Sequence, residues 1–263
     1  MTQTDKMLAT IEDGIGTLTF NNPERHNAVS LDMWEAAGTI LEGFAHNPAV
    51  RVVVLTGAGG KAFVSGADIS RFEDERANTD AYERYNAAVD RASTLLYEFP
   101  KPTLAMIRGY CLGGGVALAV CCDLRICSDN SRFAVPAAKL GLGYAYAGLK
   151  KLVDLVGPAF AKEILFTARQ FSAAEAHQMG LVNRSVPQDD LDTYVRDYAG
   201  MIADNAPLTI AAAKVAIGEA LKDESARDLG RCAALVHACF ESQDYVEGRR
   251  AFMEKRKPDF SGA

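Results

Sequence analysis

The stretch Cys111–Arg125, CLGGGVALAVCCDLR, decides the reading of the fold. A short apolar run, Thr103–Ile107 (TLAMI), comes just before it and reads as a buried strand; Leu124–Cys127 at its end reads as another. Between them, three glycines open an apolar run with the character of a helix. Glycine costs roughly 1 kcal/mol against alanine inside a helix, so three at an entrance need a reason. Two are open. The helix packs closely against a sheet, or a ligand approaches backbone N–H groups that the first helical turn leaves unpaired.

Working outward, strands alternate with helices along the first part of the chain. Ile15–Phe20 (IGTLTF) alternates as a strand and is followed by the turn-rich NNPERHNAVS. Ser30 is placed to cap a helix that starts at Leu31 and runs to about His46. Arg51–Thr56 (RVVVLT) is β-branched and reads as a strand buried on both faces. Asn78–Glu98 reads as an amphipathic helix ended by FPKP, and Ser131–Pro136 as a further strand. Beyond Tyr144 the pattern is wholly helical. This order predicts an α/β core over residues 1–195 and a helical C-terminal region over 196–263.

Composition narrows the function. Of 263 residues, 49% are hydrophobic, enough for a sizeable core. The net charge of −6 offers no basic excess for nucleic acid or an anionic membrane, so an anionic ligand would need local cations or backbone N–H groups. No apolar run approaches the ~20 residues of a membrane span, and the N-terminus lacks the pattern of a signal peptide. A cytoplasmic location is expected. The six cysteines form no Cys-x-x-Cys pair and the four histidines are scattered, so they read as small buried hydrophobes with no metal site.

A second glycine loop follows a strand at Ser65–Asp68 (SGAD). N–H groups from two such loops can converge on one carbonyl oxygen and stabilise negative charge that develops there. NNPERHNAVS, RVVVLTGAGGKAFVSGADI and KPTLAMIRGYCLGGGVALAVCCDLRICSDNSRFAVPAAKLGL together resemble the enoyl-CoA hydratase/isomerase (crotonase) superfamily, and the resemblance continues through FSAAEAHQMGLVNRSVP to RRAFMEKRKPDF. It implies a spiral of ββα units with a C-terminal trimerisation region, assembled as a homotrimer or a dimer of trimers. It implies an acyl-CoA substrate and no separate cofactor. It places the two oxyanion-holding N–H groups on Ala67 and Gly114. Arg25, Ser65, Asp68, Ile69, Ser70 and Lys255 fall at positions expected to contact CoA, Lys255 from a neighbouring subunit.

Family hydratases use two glutamates, and the resemblance puts Ala117 and Ala137 at those positions. Alanine can neither hold a water by charge nor move a proton, help typically worth ~10²–10⁴-fold in rate. Efficient two-glutamate hydration is therefore not expected. Tyr144 and Tyr146 follow the second empty position and are candidate proton or hydrogen-bond donors; packing in an acyl pocket is the other reading. Hydration or isomerisation of an unusual enoyl-CoA, thioester hydrolysis and carbon–carbon cleavage all stay open. So does a non-catalytic CoA-binding protein that lost its acids. Asp68 and Asp123 read as hydrogen-bond acceptors that fix the chain, His26 and His177 as structural, and Glu73, Asp74 and Glu75 as a solvated run.

Overall fold

The computed structural model describes residues 4–71 and 78–263. Its first sheet is ordered β1 (Met7–Glu12), β2 (Ile15–Phe20), β3 (Val52–Gly57), β5 (Thr103–Ile107), β7 (Leu124–Ser128) and β10 (Arg184–Val186). A second sheet is ordered β4 (Ala62–Val64), β6 (Tyr110–Leu112), β8 (Arg132–Ala134) and β9 (Phe171–Ser172). The helices are α1 (Leu31–His46), α2 (Thr79–Tyr97), α3 (Gly114–Cys121), α4 (Tyr146–Thr167), α5 (Ala173–Gln178) and α6 (Leu191–Ala203). After them come α7 (Pro207–Ala220), α8 (Leu229–Glu241) and α9 (Gln243–Glu254). Successive turns run β3-β4-α2, β5-β6-α3 and β7-β8-α4, each with one strand in each sheet and then a helix. This is the ββα spiral that the resemblance implied.

Residue pattern explains the layers. In β3 every residue from Val52 to Thr56 is buried, because both faces are covered. Val53 and Leu55 enter the main core, shared with α1 and α3. Val52 and Val54 face the other way, against Leu104, Ile126 and the α6 residues Leu191, Val195 and Ala199. Helix α6 runs unbroken from Leu191 to Ala203 and links the sheet region to the C-terminal helices. Asp123 fixes the start of β5 as anticipated: its carboxylate accepts from the Thr103 N–H at 2.8 Å and from Lys214 of α7 at 2.7 Å.

Several expectations need correction. The chain beyond Tyr144 is not wholly helical, since β9 and β10 lie there; strands of two and three residues leave no periodicity among helices. Ser30 does occupy the N-cap of α1, but its hydroxyl bonds the Asp32 carboxylate and not a backbone N–H. Four cysteines are buried and free as expected, whereas Cys232 and Cys239 on α8 are only half-buried. Helix α4 joins two segments across a break at Gly157–Pro158.

Helix α8 buries no residue, and Leu229, Val236, Phe240, Val246, Phe252 and Met253 of α8 and α9 are exposed. The C-terminal tail is tied down by the Asp244 carboxylate, which accepts from the backbone N–H groups of Ser261 and Gly262, and by Arg51, which donates to the Phe260 carbonyl. Among the described residues no helix is long and apolar enough to cross a membrane, and no group of His, Cys, Asp or Glu is arranged to hold a metal ion.

Candidate active site

β4 and β6 are parallel neighbours, so the loops that leave their C-terminal ends lie side by side. One is Ser65–Asp68, the other the glycine run into α3. The three glycines have three different reasons. Gly113 takes φ +51°, open to glycine at little cost. Gly115 packs the helix on β4: a Cβ there would lie 2.0 Å from the Val64 carbonyl oxygen, an impossible contact. Gly114 is under neither constraint. The nearest atoms its Cβ would meet are those of Gly66 and the Ala67 nitrogen, at 3.5–3.9 Å, ordinary van der Waals distances. Close packing therefore explains Gly115 and leaves Gly114 for another purpose.

The same contact shows the Ala67 and Gly114 amides to be adjacent. Residue 67 forms a bridge with Val29, in which Val29 donates to the Gly66 carbonyl at 2.8 Å and Asp68 donates to the Val29 carbonyl at 3.0 Å. With its neighbours bonded to Val29, Ala67 turns its own N–H the opposite way. Among the described residues that N–H meets no acceptor. Gly114 is the first residue of α3, where the helix itself supplies no acceptor. Two unpartnered backbone donors, one of them at a helix N-terminus, thus lie close together, an arrangement suited to holding an oxyanion.

A narrow apolar cavity adjoins the gap, with about 30 Å³ for the centre of a water molecule, room for one or two waters. Gly113, Val116, Ala117, Val135, Leu149 and Tyr144 line it. A Cβ on Gly113 would stand 4.0 Å from the Tyr144 hydroxyl oxygen, which places that hydroxyl beside the donors. Among the described residues Tyr144 is the one lining side chain with a hydroxyl, and no hydrogen bond holds it. Burial pushes its phenol above the ordinary value, so it keeps its proton. Ala137 packs in the main core close by at 7% exposure. Tyr146 does not line the cavity; as the first residue of α4 it faces outward and is 78% exposed.

The remaining candidates fall into two groups. Arg25, Ser65, Asp68 and Ser70 form one network: the Asp68 carboxylate, 5% exposed, accepts from the Ser70 N–H and hydroxyl at 3.1 and 2.6 Å. The Arg25 guanidinium donates to the Ser70 hydroxyl at 2.7 Å, and Ser65 donates to the Arg25 carbonyl at 3.3 Å. Asp68 is thus committed to shaping the loop, while much of Arg25 remains exposed. Ile69 begins the short 3-10 turn that carries Ser70. Lys255 stands apart as the left-handed cap of α9, exposed to solvent. Glu73, Asp74 and Glu75 lie outside the described residues. A larger open cleft of about 350 Å³, between His26, Lys61, Tyr110 and Arg132, sits at the opposite, N-terminal ends of β4, β6 and β8 and contains neither donor.

Two residues that shape this site were missed in the sequence. Val29 orients the Ala67 loop through backbone bonds that no side-chain pattern announces. Arg125 is 3% exposed beneath α3, and an arginine inside a buried strand was a legible signal.

The chain matches the enoyl-CoA hydratase/isomerase family over residues 10–263. It is 35% identical over 249 residues to a crotonyl-CoA hydratase of Syntrophomonas wolfei, covering 95% of each chain. It is 35% identical over 251 residues to a carnitinyl-CoA dehydratase of Citrobacter koseri, covering 93% of this chain and 94% of that one. Among solved structures, an enoyl-CoA hydratase/carnitine racemase from Magnetospirillum magneticum superposes with a TM-score of 0.92 at 36% identity, covering 99% of this chain and 97% of that one.

Proposed function

Because the chain belongs to the enoyl-CoA hydratase/isomerase family and is an enzyme of acyl-CoA chemistry, we propose that its reaction runs at the gap between Ala67 and Gly114. The thioester oxygen sits there, and the two N–H groups stabilise the enolate that forms as charge moves onto it. The single observation that carries this reading is the pair of unpartnered amides brought together beside an apolar cavity.

Tyr144 is the proton donor. Its hydroxyl is free, close to the donors and held in its protonated form. The methyl groups of Ala117 and Ala137 leave no carboxylate at the two positions the family resemblance marks, so rapid hydration by a glutamate pair is not this enzyme's reaction. Arg25 supplies a cation for the CoA phosphates, with Ser65, Asp68, Ile69 and Ser70 forming the wall that holds it. Lys255 reaches CoA from a neighbouring copy in a homotrimer or dimer of trimers, whose contacts cover the exposed apolar residues of α8 and α9. The enzyme works in the cytoplasm.

Mass-spectrometric turnover of a varied acyl-CoA panel, with crotonyl-CoA as reference, tests the reading. Conversion of a bulky or cyclic thioester with no rapid hydration of crotonyl-CoA is expected; rapid crotonyl-CoA hydration would overturn it. The two alanines also favour a second reading, a non-catalytic CoA-thioester-binding protein. Tight binding without turnover anywhere on the panel would establish that one.

A further inference from the structure

Helix α3 carries the Gly114 donor, yet its sequence, GGVALAVC, has no charged or amide side chain with which to fix itself along its own axis. Only its two ends offer polar handles. At the front, the Gly113 N–H donates to the Ala134 carbonyl of β8 at 2.8 Å. At the back stands Arg125, on the face of β7 turned toward the main core.

The Arg125 guanidinium grips that end. One terminal nitrogen donates to the Cys122 carbonyl at 2.6 Å and to the Ala119 carbonyl at 3.4 Å; Nε donates to the Leu181 carbonyl at 2.8 Å. Its own backbone is pinned in turn, since the Arg125 N–H donates to Asn183 Oδ1 and the Asn183 N–H to the Arg125 carbonyl, both at 2.8 Å. Arg125 is 3% exposed, and among the described residues no carboxylate lies within ion-pair distance. A buried cation without a paired acid is costly unless its donors are filled, and here carbonyls fill them. Those at Ala119 and Cys122 carry the negative end of the α3 dipole, the favourable place for a cation.

We infer that Arg125 is a positioning residue for the oxyanion site: it clamps the C-terminal end of α3 so that the Gly114 N–H, about 12 Å away at the other end, is held in register with the Ala67 N–H. The inference rests on the oxyanion role proposed for those two donors. A helix free to slide along its axis would carry Gly114 out of line, and misplacement by about 1 Å can cost on the order of 10²-fold in rate. An arginine fork, with donors in fixed geometry, suits the task better than a lysine.

Infrared spectra of bound butyryl-CoA with a ¹³C-labelled carbonyl read the polarisation of the thioester directly. The stretch should fall in frequency on binding to the wild type. Arg125→Lys keeps the charge and loses the fork. It should lose much of that fall and about tenfold in turnover, while butyryl-CoA affinity stays within about threefold, because Arg125 touches no ligand surface. Asn183→Ala, which loosens Arg125 more gently, should move the stretch the same way by less and serves if Arg125→Lys does not fold. Leu41→Ala, on the buried face of α1, should lower thermal stability and leave the stretch unchanged.

A wild type that binds butyryl-CoA with no fall in frequency overturns the oxyanion reading and the clamp with it. A wild type that shows the fall, with a folded Arg125→Lys or Asn183→Ala that matches it, overturns the clamp alone. A loss in Leu41→Ala as large as in Arg125→Lys also overturns it, since general loosening would then suffice.

Discussion

Replacing Gly114 and Gly115 separately by alanine should produce opposite failures. At Gly115 the new methyl would lie 2.0 Å from the Val64 carbonyl oxygen. Carbon and oxygen need well over 3 Å, so α3 must shift by more than 1 Å from β4; overpacking of this kind typically costs about 1–3 kcal/mol. At Gly114 the methyl would rest 3.5 Å from the Gly66 Cα and 3.9 Å from the Ala67 nitrogen, which the fold accommodates. Alanine is also the better helix former, by up to roughly 1 kcal/mol. Gly114→Ala should therefore melt at or slightly above the wild-type temperature, and Gly115→Ala well below it. The methyl of Gly114→Ala nevertheless enters the gap where the thioester oxygen is to sit. Alanine keeps the N–H at position 114, but a methyl that holds the oxygen off it forfeits that contact, worth about 10²–10³-fold in rate, about 2.7–4 kcal/mol of transition-state stabilisation. Thermal melts, together with turnover of a thioester the wild type converts, separate the two effects. Wild-type turnover by Gly114→Ala would refute the oxyanion site, and a low melting temperature for Gly114→Ala would mean that its glycine serves packing after all.

Other consequences follow from the same geometry. Tyr144→Phe should cut turnover by about 10²–10⁴-fold with acyl-CoA affinity nearly unchanged, as calorimetry would show; unchanged turnover would remove the hydroxyl from the reaction. Arg25→Ala should raise KM roughly tenfold with little effect on kcat, and the penalty should shrink as salt is added, as steady-state kinetics at two ionic strengths would report. Glu247 is bound by Arg256, Arg250 and the Asp259 N–H, which hold its carboxyl down at about 2. A depressed carboxyl contributes stability above its unfolded value near 4.3, and this contribution is lost as pH falls toward 2. Glu247→Gln should therefore flatten the fall of melting temperature over that range.

How much of this was legible depended on length and on locality. Strands β2, β3, β5 and β7 are five or six residues long and carry β-branched or alternating residues, so they announce themselves. The strands β4 and β6 have three residues each and pass without a break into loops, yet they place the two donors. Helices α1 and α2 were readable from their amphipathic spacing, and Asn78 caps α2 by accepting from the Ala81 N–H. The glycine run was legible as a place of close approach. What separates Gly114 from Gly115 is the distance to Val64, a residue in another turn of the spiral, which no local pattern encodes. The tyrosines show the same limit: two residues apart, one lines the cavity and the other faces solvent, because α4 begins between them.

The chemistry of the lining also constrains the direction of the reaction. Tyr144 is the one titratable group among the described lining residues, and burial raises its phenol. A phenol so placed gives up a proton to a strong base such as an enolate carbon, but near neutral pH it cannot accept one, because it already carries its own. An enzyme with this lining can quench an enolate and cannot readily make one by pulling a proton from the α-carbon. The enolate must then arise by another route, either addition of a nucleophile to an enoyl thioester or cleavage of a bond beside the α-carbon. Isotope exchange distinguishes the cases. In deuterium oxide a saturated thioester such as butyryl-CoA should bind and keep its α-hydrogens through long incubation. A productive substrate should yield product with a single solvent-derived deuterium at that carbon, and Tyr144→Phe should slow its arrival. Rapid α-exchange of butyryl-CoA by the wild type would show a base at work.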